Sequence, residues 1–226
     1  METDLITICI PCKNRTYDLK NIIPKILAVI DEKVEILVLN YGSTDDLDEY
    51  IKTVPVSYIK YMDNPFFHMA HSRNILGRQA SGKYILTFCA DVDFKKGFIE
   101  EIRKKLSEYD CVRISGHSYP GIIVVKKEDF IKVGGYDERF EFYGGEDKEL
   151  IERLLRNGLN FGYISQEYLS IIPTSKSTKI KHYRIKSWHK MKEYKTKIWA
   201  ENTVNNLMTA NVGKDWGGLR HCNCNI

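Results

Sequence analysis

The chain has 226 residues, of which 43% are apolar and 28% charged, a balance that supports a packed core and excludes an intrinsically disordered protein. No apolar run approaches the roughly 18 residues of a membrane span, and the opening Met1-Glu2-Thr3-Asp4 lacks the basic start of a signal peptide, so a cytoplasmic globular protein is expected. The net charge of +4 is uneven: residues 176–197 hold nine Lys/Arg against one acid, Glu193, leaving 25 basic and 29 acidic residues elsewhere. Such a stretch suits a solvated helix face, a phosphate clamp, nucleic acid or an anionic membrane surface.

Leu5 to Ile10 is a β-branched run ended by Pro11 and followed by Lys13-Asn14-Arg15, which predicts a buried strand opening into a polar loop. Leu19, Ile22, Ile23, Ile26, Leu27 and Ile30 then recur at helical spacing behind Asp18. Glu35 to Leu39 is a second strand, ending in the loop Asn40-Tyr41-Gly42-Ser43-Thr44-Asp45-Asp46. Val56 to Tyr61 is a third strand, Ala70 to Ala80 a helix, and Tyr84 to Cys89 a strand that runs towards Asp91-Val92-Asp93. Phe98 to Leu106 reads as a helix, Cys111 to Ser115 and Ile122 to Val125 as strands, and Glu146 to Arg156 as an amphipathic helix ended by Gly158. Lys186 to Asn211 reads as a long final helix with Trp188, Met191, Ile198 and Trp199 available for packing.

This alternation gives an α/β class with a mostly parallel sheet, in which ligands bind outside the carboxyl ends of the strands. The polar segments 11–15, 40–46 and 91–93 converge there. Cys9, Cys12, Cys89 and Cys111 sit in or beside apolar stretches and are expected as reduced, small hydrophobes. His221-Cys222-Asn223-Cys224 offers three soft ligands without a fourth, which reads as a tail rather than a structural zinc site.

Two acidic groups carry the chemistry. Asp91-Val92-Asp93 at a strand end puts two carboxylates on one side, able to share a hard cation and the oxygens around it, although any surface turn can contain this pattern. Gly144-Gly145-Glu146-Asp147 stands before the helical run at Lys148: the glycines admit close approach, and the helix N-terminus favours ionised carboxylates that can take a proton from a hydroxyl. A capped helix start is the structural alternative.

Taken together with Thr7-Ile8-Cys9-Ile10-Pro11-Cys12-Lys13-Asn14-Arg15, Val38-Leu39-Asn40-Tyr41-Gly42-Ser43-Thr44-Asp45, His71-Ser72-Arg73-Asn74 and Gly134-Gly135-Tyr136-Asp137-Glu138, these motifs resemble family 2 glycosyltransferases from Thr7 to about Gly158. The G-G-E-D form is similar to the β-1,4-galactosyltransferase and chondroitin-polymerase branches. Two departures stand out: Asn40-Tyr41 replaces the usual Asp-Asp, and the spacing from Gly82 to Asp91 is about two residues longer than the common pattern.

The resemblance implies a GT-A fold, a three-layer α/β/α sandwich with a C-terminal helical tail. It implies one domain over 1–226, with a nucleotide-sugar half at 1–95, an acceptor half at 96–175 and a basic loop and helix at 176–226. The implied reaction is inverting transfer of a hexose or N-acetylhexosamine from a nucleotide sugar, UDP favoured, to a glycan hydroxyl in polysaccharide or glycan synthesis, with Mn²⁺ or Mg²⁺. Asp147 is then the base with Glu146 beside it. Pro11, Cys12, Asn14, Arg15, Asn40, Ser43, Arg73, Asp91 and Val92 bind the donor. Asp93 holds the metal with His182, His189 being the reserve, and Tyr143, Gly145 and Glu146 meet the acceptor. Tyr136, Phe140, Phe142 and Tyr143 can stack on a sugar or pack in the core, and His68, His71 and His117 are read as structural or acceptor-side residues. A nucleotidyltransferase lacks support because no glycine-rich, basic phosphate loop follows the first strand. A nucleic-acid module built on the basic stretch leaves both acidic motifs unexplained, so no nucleic-acid partner is expected, while membrane contact through that stretch stays open.

Overall fold

The computed structural model describes residues 4–116, 119, 121–218 and 223–225. The first strand, β1 (Ile6–Cys12), is followed by α1 (Thr16–Leu27), β2 (Val34–Tyr41), α2 (Leu47–Ile51), β3 (Ser57–Tyr61) and α3 (Met69–Gln79). Next come β4 (Tyr84–Thr87), β5 (Val92–Phe94), α4 (Phe98–Leu106), β6 (Cys111–Ile114), β7 (Ile123–Lys126) and α5 (Lys127–Lys132). The remainder is α6 (Glu146–Arg156), β8 (Phe161–Ile164), β9 (Leu169–Ile171), α7 (Lys176–Ile180), α8 (Trp188–Val204) and β10 (Asn223–Asn225).

The main sheet has the order β10-β3-β2-β1-β4-β7-β6-β8. Strands β3, β2, β1 and β4 are parallel, β7 is antiparallel to both β4 and β6, and β8 returns parallel to β6. The expected mostly parallel α/β sandwich is therefore present, with β7 reversed inside it.

Period-two alternation builds the layers. Ile6, Ile8 and Ile10 of β1 and Ile36 and Val38 of β2 face one core with Leu19, Ile22, Ile23 and Ile26 of α1 and Phe98, Ile99 and Ile102 of α4. Cys9, Leu37, Leu39 and Tyr41 face the opposite core, closed by Ala70, Ile75 and Leu76 of α3, Phe130 of α5, Leu150 and Leu154 of α6 and Ile198 of α8. Each fully buried Leu or Ile contributes about 1.5–3 kcal/mol, so the two cores fix the loop ends of the strands firmly. Cys9, Cys12, Cys89 and Cys111 are free thiols, as expected. His117, His221 and Cys222 lie outside the described residues.

Some elements depart from the sequence expectation. The final helix stops at Val204 rather than Asn211, because Asn206 turns left-handed (φ 46°), Asn206 N–H bonds Thr203 O and Leu207 N–H bonds Asn202 O. The segment after β4 is also different. The chain leaves the sheet at Thr87, turns at Ala90–Asp91, and Val92–Phe94 pairs with β9 in a separate two-stranded sheet. That pairing partner lies about eighty residues away, beyond what local patterning reports. Among the described residues no helix is long and apolar enough to cross a membrane.

Candidate functional site

A cavity of about 630 Å³ opens at the carboxyl ends of β1 and β4. Pro11, Lys13 and Arg15 line one side, Cys89, Asp91 and Val92 the floor, Tyr143 to Lys148 the opposite side, and Thr178, Lys179, His182, Tyr183, Lys195 and Trp199 the roof.

On the first side, two loops are knitted by short polar residues. Asn14 adopts φ 54°, and its Oδ1 accepts from Thr44 N–H (2.6 Å) while its own N–H donates to Ser43 Oγ (2.9 Å). Asn40 Oδ1 accepts from Ser43 N–H (2.7 Å), and its Nδ2 donates to Asp48 and the Tyr58 hydroxyl, each at 2.8 Å. Asn14, Asn40 and Ser43, together with fully buried Cys12, thus shape the loop and are absent from the cavity wall. The amide at Asn40, where the resemblance implies donor binding, is engaged by its own neighbours. Lys13, from the same sequence motif, does line the cavity. Its Nζ donates to Tyr41 O (3.0 Å) and Gly42 O (2.8 Å), and burial lowers its pKa.

Arg15 reaches across to the floor. It donates to Asp18 (2.6 Å), to Asp91 Oδ2 (3.3 Å) and to Thr174 Oγ1 (3.0 Å). Asp91 is 8% exposed and faces the cavity. Asp93 does not: it points to α1, where Lys25 Nζ pairs with it at 2.7 Å, and it is absent from the wall. The two carboxylates were expected to share one side by strand alternation. Because Asp91 sits in the turn and only Asp93 in the strand, that rule does not relate them, and of the two carboxylates Asp91 rather than the expected metal ligand Asp93 lines the cavity.

The opposite side is built by left-handed glycines. Gly144 and Gly145 have φ 83° and 102°, and a Cβ on Gly145 would meet Phe140 at 3.1 Å and Lys195 at 3.2 Å, so the loop needs glycine there on both counts. They start α6 with Glu146 and Asp147 in its first turn, 3% and 9% exposed. Arg73 from α3, also 3% exposed, donates through Nη1 to Asp147 Oδ1 and lies 3.5 Å from Glu146 Oε1. Two carboxylates against one guanidinium leave one charge unmatched. Burial first, and the neighbouring Asp147 second, raise the Glu146 pKa to about 7. Glu146 Oε2 has no hydrogen-bond partner among the described residues. Tyr136, Phe140 and Phe142 are core residues, while Tyr143 reaches the cavity.

His182 lines the roof, and burial followed by Lys181 and Lys13 lowers its pKa, which favours the neutral imidazole. His189 is directed away, 80% exposed and 3.5 Å from Glu193. His71 faces the Tyr41 hydroxyl at 2.8 Å, and His68 accepts from His71 N–H at 3.2 Å, a structural pair. No three metal-ligating side chains cluster among the described residues. Asp91 and His182 place an oxygen and a nitrogen donor on one cavity, donor types that suit a divalent cation.

Residues 101–190 match a family model described as the N-terminal domain of galactosyltransferase. The chain is similar to the glycosyltransferase GlyA of Streptococcus pneumoniae serotype 4, 27% identical over 118 residues, covering 51% of this chain and 17% of that protein. It therefore spans only a small part of that relative. Among solved structures it resembles S. aureus TarS in complex with UDP-GlcNAc (TM-score 0.70, 12% identity, 93% of this chain and 68% of that one). It also resembles the mannosyltransferase PcManGT of Pyrobaculum calidifontis in complex with GDP-Man and Mn²⁺ (TM-score 0.64, 15% identity, 77% and 58%). The fold is that of the GT-A glycosyltransferases. In this GT-A chain the cavity lies at the carboxyl ends of the parallel strands, and the matched segment 101–190 contains the Gly144–Asp147 motif and His182.

Proposed function

We propose that this chain is an inverting glycosyltransferase that moves a hexose or N-acetylhexosamine from a nucleotide sugar, with UDP favoured, to a hydroxyl of a sugar or glycan acceptor. One observation carries the reading: Asp91 and the Glu146–Asp147 pair, distant in sequence, line a single cavity together with Lys13, Arg15 and His182. The titles of the TarS and PcManGT structures, which name UDP-GlcNAc, GDP-Man and Mn²⁺ as bound there, support a nucleotide-sugar donor and a divalent cation here.

In this proposal Pro11, Lys13 and Arg15 bind the nucleotide diphosphate, and Asp91 and His182 hold Mn²⁺ or Mg²⁺. The cation, when bound, offsets the charge that develops on the departing diphosphate. Asp147 accepts the proton of the acceptor hydroxyl. The oxygen attacks the anomeric carbon from the face opposite the diphosphate, so the carbon–oxygen bond to the diphosphate breaks as the glycosidic bond forms and the configuration inverts. Arg73, donating through Nη1 to Asp147 Oδ1, holds that carboxyl in place. Tyr143 and Gly145 border the acceptor, and the basic segment around Lys179 neutralises the leaving group while covering it.

The test is release of nucleoside diphosphate from a panel of UDP and GDP sugars with MnCl₂, with and without EDTA. Metal-dependent release and binding are expected for at least one donor. Absence of binding and turnover with every donor refutes the reading, and undiminished turnover in EDTA refutes the metal. The exposed Lys181, Arg184, Lys186, Lys190 and Lys192 suit an anionic membrane surface, which flotation with vesicles containing phosphatidylglycerol tests.

A further inference from the structure

The cavity wall carries more positive charge than the reaction above uses. Among the described residues its cations are Lys13, Arg15, Arg73, Lys148, Lys179 and Lys195, against the carboxylates of Asp91, Glu146 and Asp147. Lys13, Arg15 and Lys179 serve the diphosphate in that reaction, and Arg73 is paired with Asp147. Lys148 and Lys195 remain, and both border the Gly144–Asp147 loop.

Lys195 comes from α8 and lies along the two glycines. A Cβ on Gly144 would meet its Nζ at 3.2 Å, and a Cβ on Gly145 would meet its Cδ at 3.2 Å and its Cβ at 3.3 Å. The ammonium therefore stands beside the loop that carries Glu146 and Asp147, on the cavity wall. Among the described residues it forms no ion pair. Lys148, next to Asp147, has only a shared partner. Glu152 lies 3.7 Å from it, and the same side chain faces Arg156 at 3.5 Å and accepts from Trp199 Nε1–H at 2.7 Å. Lys148 Nζ also rests 4.0 Å from the centre of the Trp199 ring, and Trp199, one helical turn after Lys195, lines the cavity too.

Two ammonium groups and an indole thus frame the side of the cavity where Asp147 stands. An indole offers a flat apolar surface to the face of a sugar ring, and an ammonium without a partner favours a carboxylate or phosphate on the same molecule. The two lysines also offset the repulsion that an anion would meet from Glu146 and Asp147. Lys195 and Trp199 lie beyond residues 101–190, so this charge is not part of the segment matched by the galactosyltransferase model.

We propose that the acceptor is an anionic saccharide, bearing a carboxylate or a phosphate ester near the hydroxyl that is glycosylated, and that Lys195, with Lys148, pairs with that charge and sets acceptor specificity. This inference rests on the glycosyltransferase reading above, and the test separates the two.

Nucleoside diphosphate release is measured with MnCl₂ and the donor that the panel above identifies. The acceptors are p-nitrophenyl hexosides of glucose, galactose and mannose, each compared with its uronide and its 6-phosphate. In at least one series the uronide or the phosphate should show a KM about tenfold below that of the neutral hexoside, and which of the two does so identifies the anion. Lys195→Gln should raise that KM about tenfold, the contribution of one charge-assisted hydrogen bond at a partly exposed site, with UDP affinity and the KM of the neutral hexoside unchanged. Lys195→Arg should keep the preference, Lys195→Glu should reverse it, and added KCl should weaken it. Anionic acceptors that are used no better than neutral ones overturn the inference. So does a Lys195→Gln variant in which the KM values of neutral and anionic acceptors rise together, the mark of a structural role or of an altered Glu146. Either result leaves the glycosyltransferase reading standing as long as a donor is turned over; if no donor is, that reading fails and the inference falls with it.

Discussion

Replacing Asp147 by asparagine separates catalysis from stability, because the buried charges around Arg73 can redistribute. In the wild type Arg73 is paired with Asp147, and Glu146, its pKa raised to about 7 by burial and by Asp147, carries only part of a charge at neutral pH. Removing the Asp147 charge removes one cause of that raised pKa and leaves Glu146 Oε1 3.5 Å from Arg73. Glu146 then ionises and restores neutrality. Breaking a buried pair outright costs about 3–5 kcal/mol. With the second carboxylate taking over and the amide still accepting a hydrogen bond, Asp147→Asn should cost only about 1–2 kcal/mol, or roughly 2–8 °C in melting temperature for a domain of this size. Adding Glu146→Gln leaves Arg73 unpaired and should bring the total to about 3–5 kcal/mol. Transfer should fall about a hundred- to ten-thousandfold in the single variant, the usual contribution of a positioned base. Urea unfolding and single-turnover transfer measure the two quantities. A single variant that loses the full amount, with no further loss in the double, refutes the charge redistribution. Transfer retained within about tenfold removes Asp147 as the base.

Other outcomes follow from the same geometry. Because Glu146 holds its proton more tightly when folded, its contribution to stability is complete below the ordinary value of 4.5 and is lost as pH rises to about 7; the stability difference between wild type and Glu146→Gln, followed by urea titration across this window, should shift in favour of the variant with rising pH. Asp91→Asn should abolish Mn²⁺-dependent UDP binding in calorimetry. Asp93→Asn should preserve it and cost less than about 1 kcal/mol, since its partner Lys25 is 61% exposed; the reverse pattern would return the metal to Asp93. Glu149→Gln, away from the cavity, should lower stability by about 3–5 kcal/mol, because it strands Arg153, fully buried and bonded at 2.5 Å, and thermal unfolding shows the loss directly.

The layers of this protein were legible in its residues. Ile6, Ile8 and Ile10 alternate with Thr7 and Cys9, and Leu19, Ile22, Ile23 and Ile26 repeat at helical spacing, so strand, helix and buried face follow from period alone. The Gly144–Asp147 motif was also visible in the residues, where it read either as a proton-accepting site or as a capped helix start. The nucleotide side is less legible: Asp48 of α2 and Tyr58 of β3 take the donors of Asn40, a pairing between elements that no local pattern encodes. Lys13 stood in the motif, but only the fold shows it lining the cavity.

What chain order alone determined is the order of elements, the faces they bury and the two acidic motifs, since hydrophobic periodicity and turn chemistry act over a few residues. Tertiary structure decided that Asp91 lines the cavity while Asp93 meets Lys25, and that Arg73 lies beside Asp147. The direction of each of those side chains depends on pairings with segments far away along the chain, such as Val92 with Ile171, and no local pattern encodes a contact whose other half lies in another element.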